Sequence, residues 1–243
     1  MGKGDQKLRV LALVPARLGS KGIPRKNVRL LGGKPLLEYT AEVASRAARI
    51  TRTILSTEDQ EIATIGRRCG LEVPFLRPPE LATDETPTLR VVQHAVEWLE
   101  TRGETYDVVC LLEPTSPFRR ADTIDACLGL LENSGADAVV TVTSVPVHFN
   151  PHWVYFRAPD GTLRLSTGER EPIRRRQELP TAYCRDGSVY ATRRDVIMVE
   201  NSLYGRRLLG YEVEEDTCVN IDTVEDWKRA ERLLAAARSA GRL

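Results

Sequence analysis

The stretch VLALVPARLGSKGIPRKNVRLLGGKPLLEYT, residues 10–40, decides the fold. Its apolar run ends at a proline, a loop rich in glycine and basic residues follows, and the apolar spacing after Pro35 is helical. This order predicts a buried strand, a flexible cationic loop and a helix. In open α/β sheets, ligands bind beyond the carboxyl ends of the strands. The loop over residues 15–27 is therefore the first candidate for a ligand site.

The strand–helix pattern of this stretch is repeated along the chain as far as Val145. Short apolar runs predict strands, and amphipathic stretches that end in glycine predict helices. The predicted strands cover residues 8–14, 51–57, 71–76, 106–112 and 136–145, and the predicted helices cover 35–50, 58–70, 87–103 and 121–135. This alternation indicates an α/β fold with a mostly parallel sheet flanked by helices.

The pattern changes after Val145. A hairpin is predicted around Asp160-Gly161, strands over 187–195 and 208–216, and a closing helix over 221–240. We interpret residues 146–180 as a small protruding arm or lid, with a plain surface insertion as the alternative. Because no linker or change of composition divides the chain, residues 1–243 are expected to form a single domain.

Composition argues against several classes of protein. The 35 basic and 34 acidic residues leave a net charge of +1, so a general nucleic-acid binder is not expected. The five cysteines show no CxxC spacing, which is typical of a reducing compartment. The polar N-terminus does not resemble a signal peptide, and no apolar run is long enough to span a membrane. These features predict a cytoplasmic, globular protein.

The loop over residues 15–27 is suited to binding a phosphate. Gly19 and Gly22 would let backbone N–H groups turn toward an anion, beside the start of a helix. Four basic side chains would supply positive charge: Arg17, Lys21, Arg25 and Lys26. The loop matches neither GxxxxGK[ST] nor GxGxxG, the two common nucleotide motifs. On these residues alone, a solvated basic turn is the alternative.

Six segments in order resemble the acylneuraminate cytidylyltransferases, which activate sialic, legionaminic and pseudaminic acids. They are PARLGSKGIPRKN (15–27), STED (56–59), LRPPELATDETPT (76–88), EPTSPFR (113–119), RRQELPTAYCRDGSVY (175–190) and NIDTVED (220–226). The resemblance covers about residues 8–235. It implies a Rossmann-like nucleotidyltransferase fold with a mixed sheet. The implied reaction transfers CMP from CTP to the anomeric hydroxyl of a nonulosonic acid and releases pyrophosphate.

The resemblance also implies which residues bind CTP. Arg17 and Lys21 would stabilise negative charge on the phosphates, and Arg77 and Asp84 correspond to positions near the cytosine. The other members of this set belong to the signature loop: Ala16, Ser20 and Asn27, of which Asn27 would bind the nucleotide or its ribose. Arg77 could instead be structural, and Asp84 could instead cap the helix that begins near residue 87.

A second set of residues is implied on the acceptor side. It comprises Glu113, Thr115, Ser116, Arg119, Arg176, Gln177, Asp186 and Tyr190. Arg176 would bind the acceptor's carboxylate, and Arg119 could hold an anion. Glu113 and Asp186 stand where the family usually has Gln and Asn, and a carboxylate accepts hydrogen bonds but cannot donate them. The acceptor could therefore be an ordinary nonulosonic acid, an amino-bearing one, or another acid such as a phosphonate.

The resemblance further implies a magnesium ion and a homodimer. Asp222 is expected to be the main protein ligand of Mg²⁺, with Asn220 where the family has a second Asp; Asp222 could also cap the last helix. The apolar residues 153–156 of the arm would supply dimer interface. A nucleotide-binding protein that has lost catalysis, with Asn220 as its mark, is the alternative from another class. No general base is identified.

Overall fold

A computed structural model describes residues 7–214 and 218–239. Its strands are, in chain order, β1 (Val10–Pro15), β2 (Leu30–Leu31), β3 (Lys34–Pro35), β4 (Arg52–Ser56), β5 (Val108–Leu111), β6 (Ala138–Ser144), β7 (Tyr155–Arg157), β8 (Leu163–Leu165), β9 (Tyr183–Arg193) and β10 (Leu208–Glu212). Its α-helices are α1 (Leu36–Arg46), α2 (Gln60–Arg68), α3 (Thr88–Glu100), α4 (Ala121–Ser134), α5 (Arg194–Met198) and α6 (Val224–Ser239).

Six strands form the central sheet, in the order β10-β6-β9-β5-β1-β4. β1 is parallel to both β4 and β5, and β10 is parallel to β6. β9 is antiparallel to its two neighbours, so that Tyr190 pairs with Leu111 on one side and with Val140 on the other. The sheet is thus mixed and mostly parallel, and helices flank it, as the sequence predicted.

Helices pack on both faces of this sheet, and two of its inner strands, β1 and β5, are apolar throughout. In β1, Ala12 and Val14 pack in the cluster that includes residues of α1, α2 and α4. Leu11 and Leu13 belong to the opposite cluster, which includes residues of α3 and α5. Alternate side chains of a strand point to opposite faces, so a strand covered on both faces needs a continuous apolar run. A third cluster, beneath the cationic loop, joins Ile23 to α6.

Two predicted strands differ from the structure. Residues 71–76 form only an isolated bridge, between Glu72 and Ile54. Pro74 lies within this segment and lacks the backbone N–H that a strand ladder requires, which explains the difference. The strand predicted over 208–216 ends at Glu212, and residues 215–216 lie outside the described part of the chain.

The predicted hairpin is present in the segment interpreted as an arm. β7 and β8 pair antiparallel around Asp160-Gly161. Gly161 has φ of 87°, and the Asp160 carboxylate accepts a hydrogen bond from the backbone N–H of Thr162 at 2.9 Å. The left-handed backbone at Gly161 is the reason glycine suits this turn. Within the described residues, no helix is long and apolar enough to cross a membrane.

Candidate active site

A cleft of about 490 Å³ lies at the ends of β1 and β5. It is lined by the loops that follow these two strands and by residues of the segments 77–91 and 220–222. It brings together most residues of the set predicted to bind CTP, but only Glu113 and Thr115 of the set predicted on the acceptor side. Its lining includes Arg17, Ser20, Lys21, Asn27, Arg77, Asp84, Glu113, Thr115, Asn220 and Asp222. The position beyond the carboxyl ends of parallel strands is the one expected for a ligand site in this type of sheet.

The loop after β1 is fixed by its own backbone and by the neighbouring strand. Ala16 is buried, and its backbone N–H donates to the Ser56 carbonyl at 3.0 Å. Asn27 is also buried, and its side-chain amide donates to the Arg17 carbonyl at 2.9 Å. The Leu18 N–H donates to the Glu58 carboxylate at 2.7 Å. Asn27 therefore braces the loop, and this contact occupies part of the hydrogen-bonding capacity that was assigned to the nucleotide.

Asp84 holds the two cations that were predicted to bind phosphate. Its carboxylate oxygens lie 2.5 Å from Arg17 Nη1 and 3.1 Å from Lys21 Nζ. These two side chains, Lys21 first, lower the pKa of Asp84. The alternative role as a helix cap is wrong, since α3 begins at Thr88 directly after Pro87 and Asp84 faces the cations instead. Arg17 and Lys21 together form the cationic wall of the cleft, and the Asp84 carboxylate bridges them.

Arg77 forms part of the wall beside this ion-paired group. Only 3% of its side chain is exposed, its Nη2 lies 2.9 Å from the Glu58 carboxylate, and burial lowers its pKa. Its Nε–H is buried and has no hydrogen-bond partner among the described residues. Buried polar groups are normally satisfied, so this donor has unused hydrogen-bonding capacity. Arg77 combines a structural contact with Glu58 and an unused donor.

Asp222 is held in the cleft by a contact with Lys26 that the sequence did not predict. Lys26, whose side chain is 12% exposed, donates to the Asp222 carboxylate at 2.9 Å and to the Ile221 carbonyl at 2.7 Å. Asn220 donates from its amide to the other carboxylate oxygen at 3.0 Å. A Cβ at Gly22 would lie 2.1 Å from the Asp222 carbonyl oxygen, so only glycine allows this approach. Lys26 was noted only as loop charge, and nothing local in the sequence shows its distant partner.

The Asp222 side chain does not cap the last helix, α6, so the capping role considered for it is wrong. Asp226 accepts hydrogen bonds from the backbone N–H and hydroxyl of Thr223, both at 2.8 Å, and its own N–H donates to the Thr223 hydroxyl at 3.2 Å. This reciprocal pair is a capping box. The Asp222 side chain therefore lines the cleft and does not take part in this cap.

The loop after β5 supplies two hydroxyls with unused hydrogen-bonding capacity. Thr115 Oγ1 and Ser116 Oγ are buried, and neither has a partner among the described residues. The Thr115 carbonyl accepts from the Ile221 N–H at 2.8 Å, which joins this loop to the segment carrying Asp222. A Cβ at Gly187 would lie 3.8 Å from Ser116 Oγ, so the start of β9 borders the same hydroxyls.

Arg119 lies beneath the cleft, and the prediction that it holds an anion needs correction. It is buried, and its guanidinium donates to the Ser188 carbonyl, to Thr40 Oγ1 at 3.2 Å and to the Glu113 carbonyl at 2.7 Å. Burial lowers its pKa to about 10. These donors tie the loop after β5 to α1 and β9, so Arg119 positions the cleft wall from below.

Asp186 and Tyr190 lie near the cleft but do not line it. Asp186 accepts hydrogen bonds from the Ser188 N–H at 3.1 Å and from the Ser188 hydroxyl, which leaves it less available to an acceptor. Burial raises the pKa of Tyr190 to about 12, and its ring centroid lies 6.4 Å from that of Tyr204. Arg185 donates to the Tyr204 hydroxyl. These side chains form a second layer behind Glu113.

Arg176 and Gln177 are not brought to the cleft within one chain. Both are exposed on a short 3₁₀-helix, Arg176–Glu178, in the arm. Their predicted contact with an acceptor would therefore require another chain or a different arm position.

Asn220 and Asp222 offer the oxygen ligands that Mg²⁺ prefers. Asn220 uses its amide nitrogen toward Asp222. Among the described residues, its side-chain oxygen has no partner and each Asp222 oxygen accepts a single hydrogen bond. Mg²⁺ is commonly held by one or two carboxylates together with substrate phosphates. This donor set fits a metal bound mainly by a triphosphate, although the Lys26 ammonium beside it opposes a cation.

Comparison with known proteins gives a consistent result. A family model described as cytidylyltransferase matches residues 11–238. The CMP-N,N'-diacetyllegionaminic acid synthase of Legionella pneumophila is 32% identical over 236 residues, which cover 96% of this chain and 99% of that protein. The pseudaminic acid cytidylyltransferase of Campylobacter jejuni is 28% identical over 223 residues, which cover 92% of this chain and 95% of that protein.

A solved structure shows the same fold. It is that of CMP:2-keto-3-deoxy-manno-octonic acid synthetase complexed with CTP, with a TM-score of 0.71 and 17% identity, covering 94% of this chain and 99% of that one. The fold, the cationic loop and the family match agree with the resemblance of the six sequence segments. The chain is therefore a nucleotidyltransferase that belongs to the cytidylyltransferase family.

Proposed function

We propose that this enzyme transfers CMP from CTP to the anomeric hydroxyl of a nonulosonic acid and releases pyrophosphate. The observation that supports this most directly is the cleft, which joins a cationic wall at Arg17 and Lys21 to hydroxyls and carboxylates on the opposite side. The names of the two curated relatives, both of which act on nonulosonic acids, favour the same acceptor class.

The cationic wall suits the triphosphate. Phosphoryl transfer requires mainly positioning and positive charge around the equatorial and leaving oxygens. Arg17 presents a planar fork for the outer phosphates, and Lys21 a compact charge for the α-phosphate. Phosphate oxygens would replace the Asp84 carboxylate on both cations. The unpartnered Nε–H of Arg77 would donate to an acceptor atom of the cytosine ring.

The opposite side suits the acceptor acid. The oxygen of the anomeric hydroxyl would attack the α-phosphorus and release its proton to water in the cleft, the bond to the bridging oxygen would break, and pyrophosphate would leave with the electron pair. Thr115 Oγ1 and Ser116 Oγ, both buried without partners in the described chain, would bind polar groups of the acid. Asp222 and Asn220 would hold Mg²⁺ with the triphosphate, and the ion would offset negative charge on the phosphates.

The experiment that tests this function is a measurement of pyrophosphate release. CTP and Mg²⁺ would be supplied with N-acetylneuraminic, legionaminic, pseudaminic or phosphonoformic acid, with ATP, GTP and UTP as controls. Turnover of a nonulosonic acid with CTP supports the proposal, and turnover of the phosphonate alone would replace the acceptor class. Tight CTP binding without turnover at high Mg²⁺ would favour a nucleotide-binding protein instead.

Matched variants connect the activity to the cleft. Arg17→Gln and Lys21→Gln should lower turnover by about tenfold or more each, since each loses a charge close to a phosphate. Lys228→Gln, on the exposed face of α6, is the matched control and should leave turnover unchanged. Equal turnover in all three variants would contradict the assignment of the cationic wall.

We also propose that two copies associate through the arm, in the cytoplasm. Four large apolar side chains are 43–67% exposed on and beside the hairpin: Phe149, Tyr155, Phe156 and Leu163. Exposed apolar patches of this kind mark interaction surfaces. Phe156→Ser should shift the sedimentation coefficient from dimer to monomer, whereas Val199→Ser, exposed elsewhere, should not. A monomeric wild-type chain would contradict the proposal.

A further inference from the structure

Glu113 is a carboxylate on the cleft wall for which the described chain provides no direct partner. It follows β5, lines the cleft and is only partly exposed. Its carboxylate accepts no hydrogen bond and forms no ion pair with any described residue, although its backbone carbonyl accepts from Arg119 and from the Ser116 N–H. Partly buried carboxylates are commonly hydrogen-bonded or paired, so the Glu113 carboxylate is open to a ligand in the cleft.

The cations near Glu113 are already engaged by other groups. Arg119 donates to three oxygens, none of which belongs to the Glu113 carboxylate. Lys26 is bonded to Asp222 and to the Ile221 carbonyl, and Arg185 donates to Tyr204. Each of these cations interacts with Glu113 only through its field. The negative charge of Glu113 therefore remains directed into the cleft.

The rest of the described surroundings supplies no strong hydrogen-bond donor to Glu113. Asp222 adds a second negative charge nearby, and burial keeps the phenol of Tyr190 neutral, with its pKa near 12. Burial likewise raises the pKa of Glu113 itself, which shows the cost of leaving its charge unpaired. A ligand that brings a positively charged N–H donor would remove this cost.

We propose that Glu113 selects acceptor acids that carry a cationic nitrogen, such as an amine or an amidine, and disfavours their neutral N-acyl counterparts. This inference rests on the proposed function, because it assigns the acceptor to the side of the cleft formed by the loop after β5. The acceptor's own carboxylate would bind away from Glu113, and the cationic nitrogen would donate to the Glu113 carboxylate.

The test uses a matched pair of nonulosonic acids that differ at one substituent, an acetamidine in one and an isosteric acetamide in the other. Hydrogen bonds between charged groups are about twice as strong as neutral ones, so kcat/KM should favour the amidine by about tenfold or more. In Glu113→Gln this preference should vanish or reverse, because the amide side chain is neutral and can also donate. Glu97→Gln, exposed on α3, is the matched control and should keep the preference.

A binding measurement separates this inference from the proposed function. Calorimetric titration of the same two acids in the presence of CMP should show tighter binding of the amidine to the wild type and no such preference in Glu113→Gln. Equal or opposite affinities in the wild type would overturn the inference even if pyrophosphate release proceeds. Absence of release with every acid would overturn the proposed function, while the titration would still decide the role of Glu113.

Discussion

Lys26 donates to the carboxylate of Asp222 at 2.9 Å, across 196 positions of the chain. The contact joins the loop after β1 to the segment before α6, and the Ile221 carbonyl shares the same ammonium at 2.7 Å. The Lys26 side chain is 12% exposed and that of Asp222 is 62% exposed, so a buried ammonium anchors a carboxylate that faces solvent. It therefore fixes where Asp222 lies in the cleft.

Lys26→Gln should lower turnover of CTP and the free energy of unfolding together. Removing Lys26 leaves the Ile221 carbonyl without this donor, while Asp222, whose side chain is 62% exposed, keeps the hydrogen bond from the Asn220 amide, so the cost should be about 1 kcal/mol. Turnover should fall because Asp222 loses its position. Urea denaturation and steady-state kinetics would measure both quantities, with Lys228→Gln as the control. Turnover within about twofold of the wild type would contradict this role.

Asp84→Asn should lower the KM for CTP. The carboxylate of Asp84 binds both Arg17 and Lys21, so a triphosphate must displace it from these cations. Since all three side chains are at least partly exposed, the change should be modest, about threefold. Glu85→Gln, the neighbouring exposed acid, controls for the loss of one charge from the same segment. An increase in KM would instead show that Asp84 orders the cations for binding.

The central strands could be predicted from the sequence because their pattern is local. β1 and β5 are continuous apolar runs, as strands buried on both faces must be. The direction of β9 could not be predicted, since a long segment containing the arm separates it from β6 and no residue pattern specifies antiparallel pairing. Residues 71–76 were wrongly predicted as a strand because apolar content was given more weight than Pro74.

The candidate site was predictable where a single segment carries the chemistry. Arg17 and Lys21 belong to one glycine-rich loop, and their place at the end of β1 follows from that loop alone. The partners of Asp84 and Lys26 were not predictable, because tertiary contacts between distant segments decide them. Arg119 was misassigned for a similar reason: its buried position depends on α1 and β9, which the motif EPTSPFR does not describe.

Asn220→Asp should lower the Mg²⁺ concentration that gives half-maximal turnover. A second carboxylate beside Asp222 adds negative charge to the ligand set that Mg²⁺ prefers. The same change removes the hydrogen bond from the Asn220 amide to Asp222 and places two like charges together, so the metal-free variant should be less stable. In thermal unfolding, Mg²⁺ and CTP should raise the Tm of Asn220→Asp by more than they raise the Tm of the wild type. An unchanged Mg²⁺ requirement would exclude Asn220 from the metal site.

Arg119→Met should lower the free energy of unfolding by about 3 kcal/mol or more, because the buried guanidinium satisfies three oxygens that would lose their donor. Urea denaturation would measure the change. Arg164→Met, on the exposed strand β8, is the control and should have a small effect. A variant with the stability of the wild type but no turnover would restore the original assignment of Arg119 as an anion-binding residue.

Glu113→Gln should stabilise the chain as the pH rises above the pKa of an unfolded glutamate, and not in acid. Burial raises the pKa of Glu113 in the folded chain above its unfolded value of about 4.3. Between these two pKa values the folded state binds more protons than the unfolded state, so the free energy of unfolding of the wild type falls as the pH rises through this window. The neutral glutamine does not titrate and avoids this loss.

Urea denaturation of both chains at about pH 4.3, the pKa of an unfolded glutamate, and at about pH 8 would measure the difference. The variant should gain stability relative to the wild type mainly at the higher pH. Glu97→Gln, at an exposed position of α3, is the matched control. The difference in free energy of unfolding between the two chains could instead stay constant with pH or favour the wild type at the higher pH. Either result would show that a partner already stabilises the charged form of Glu113 in the empty cleft.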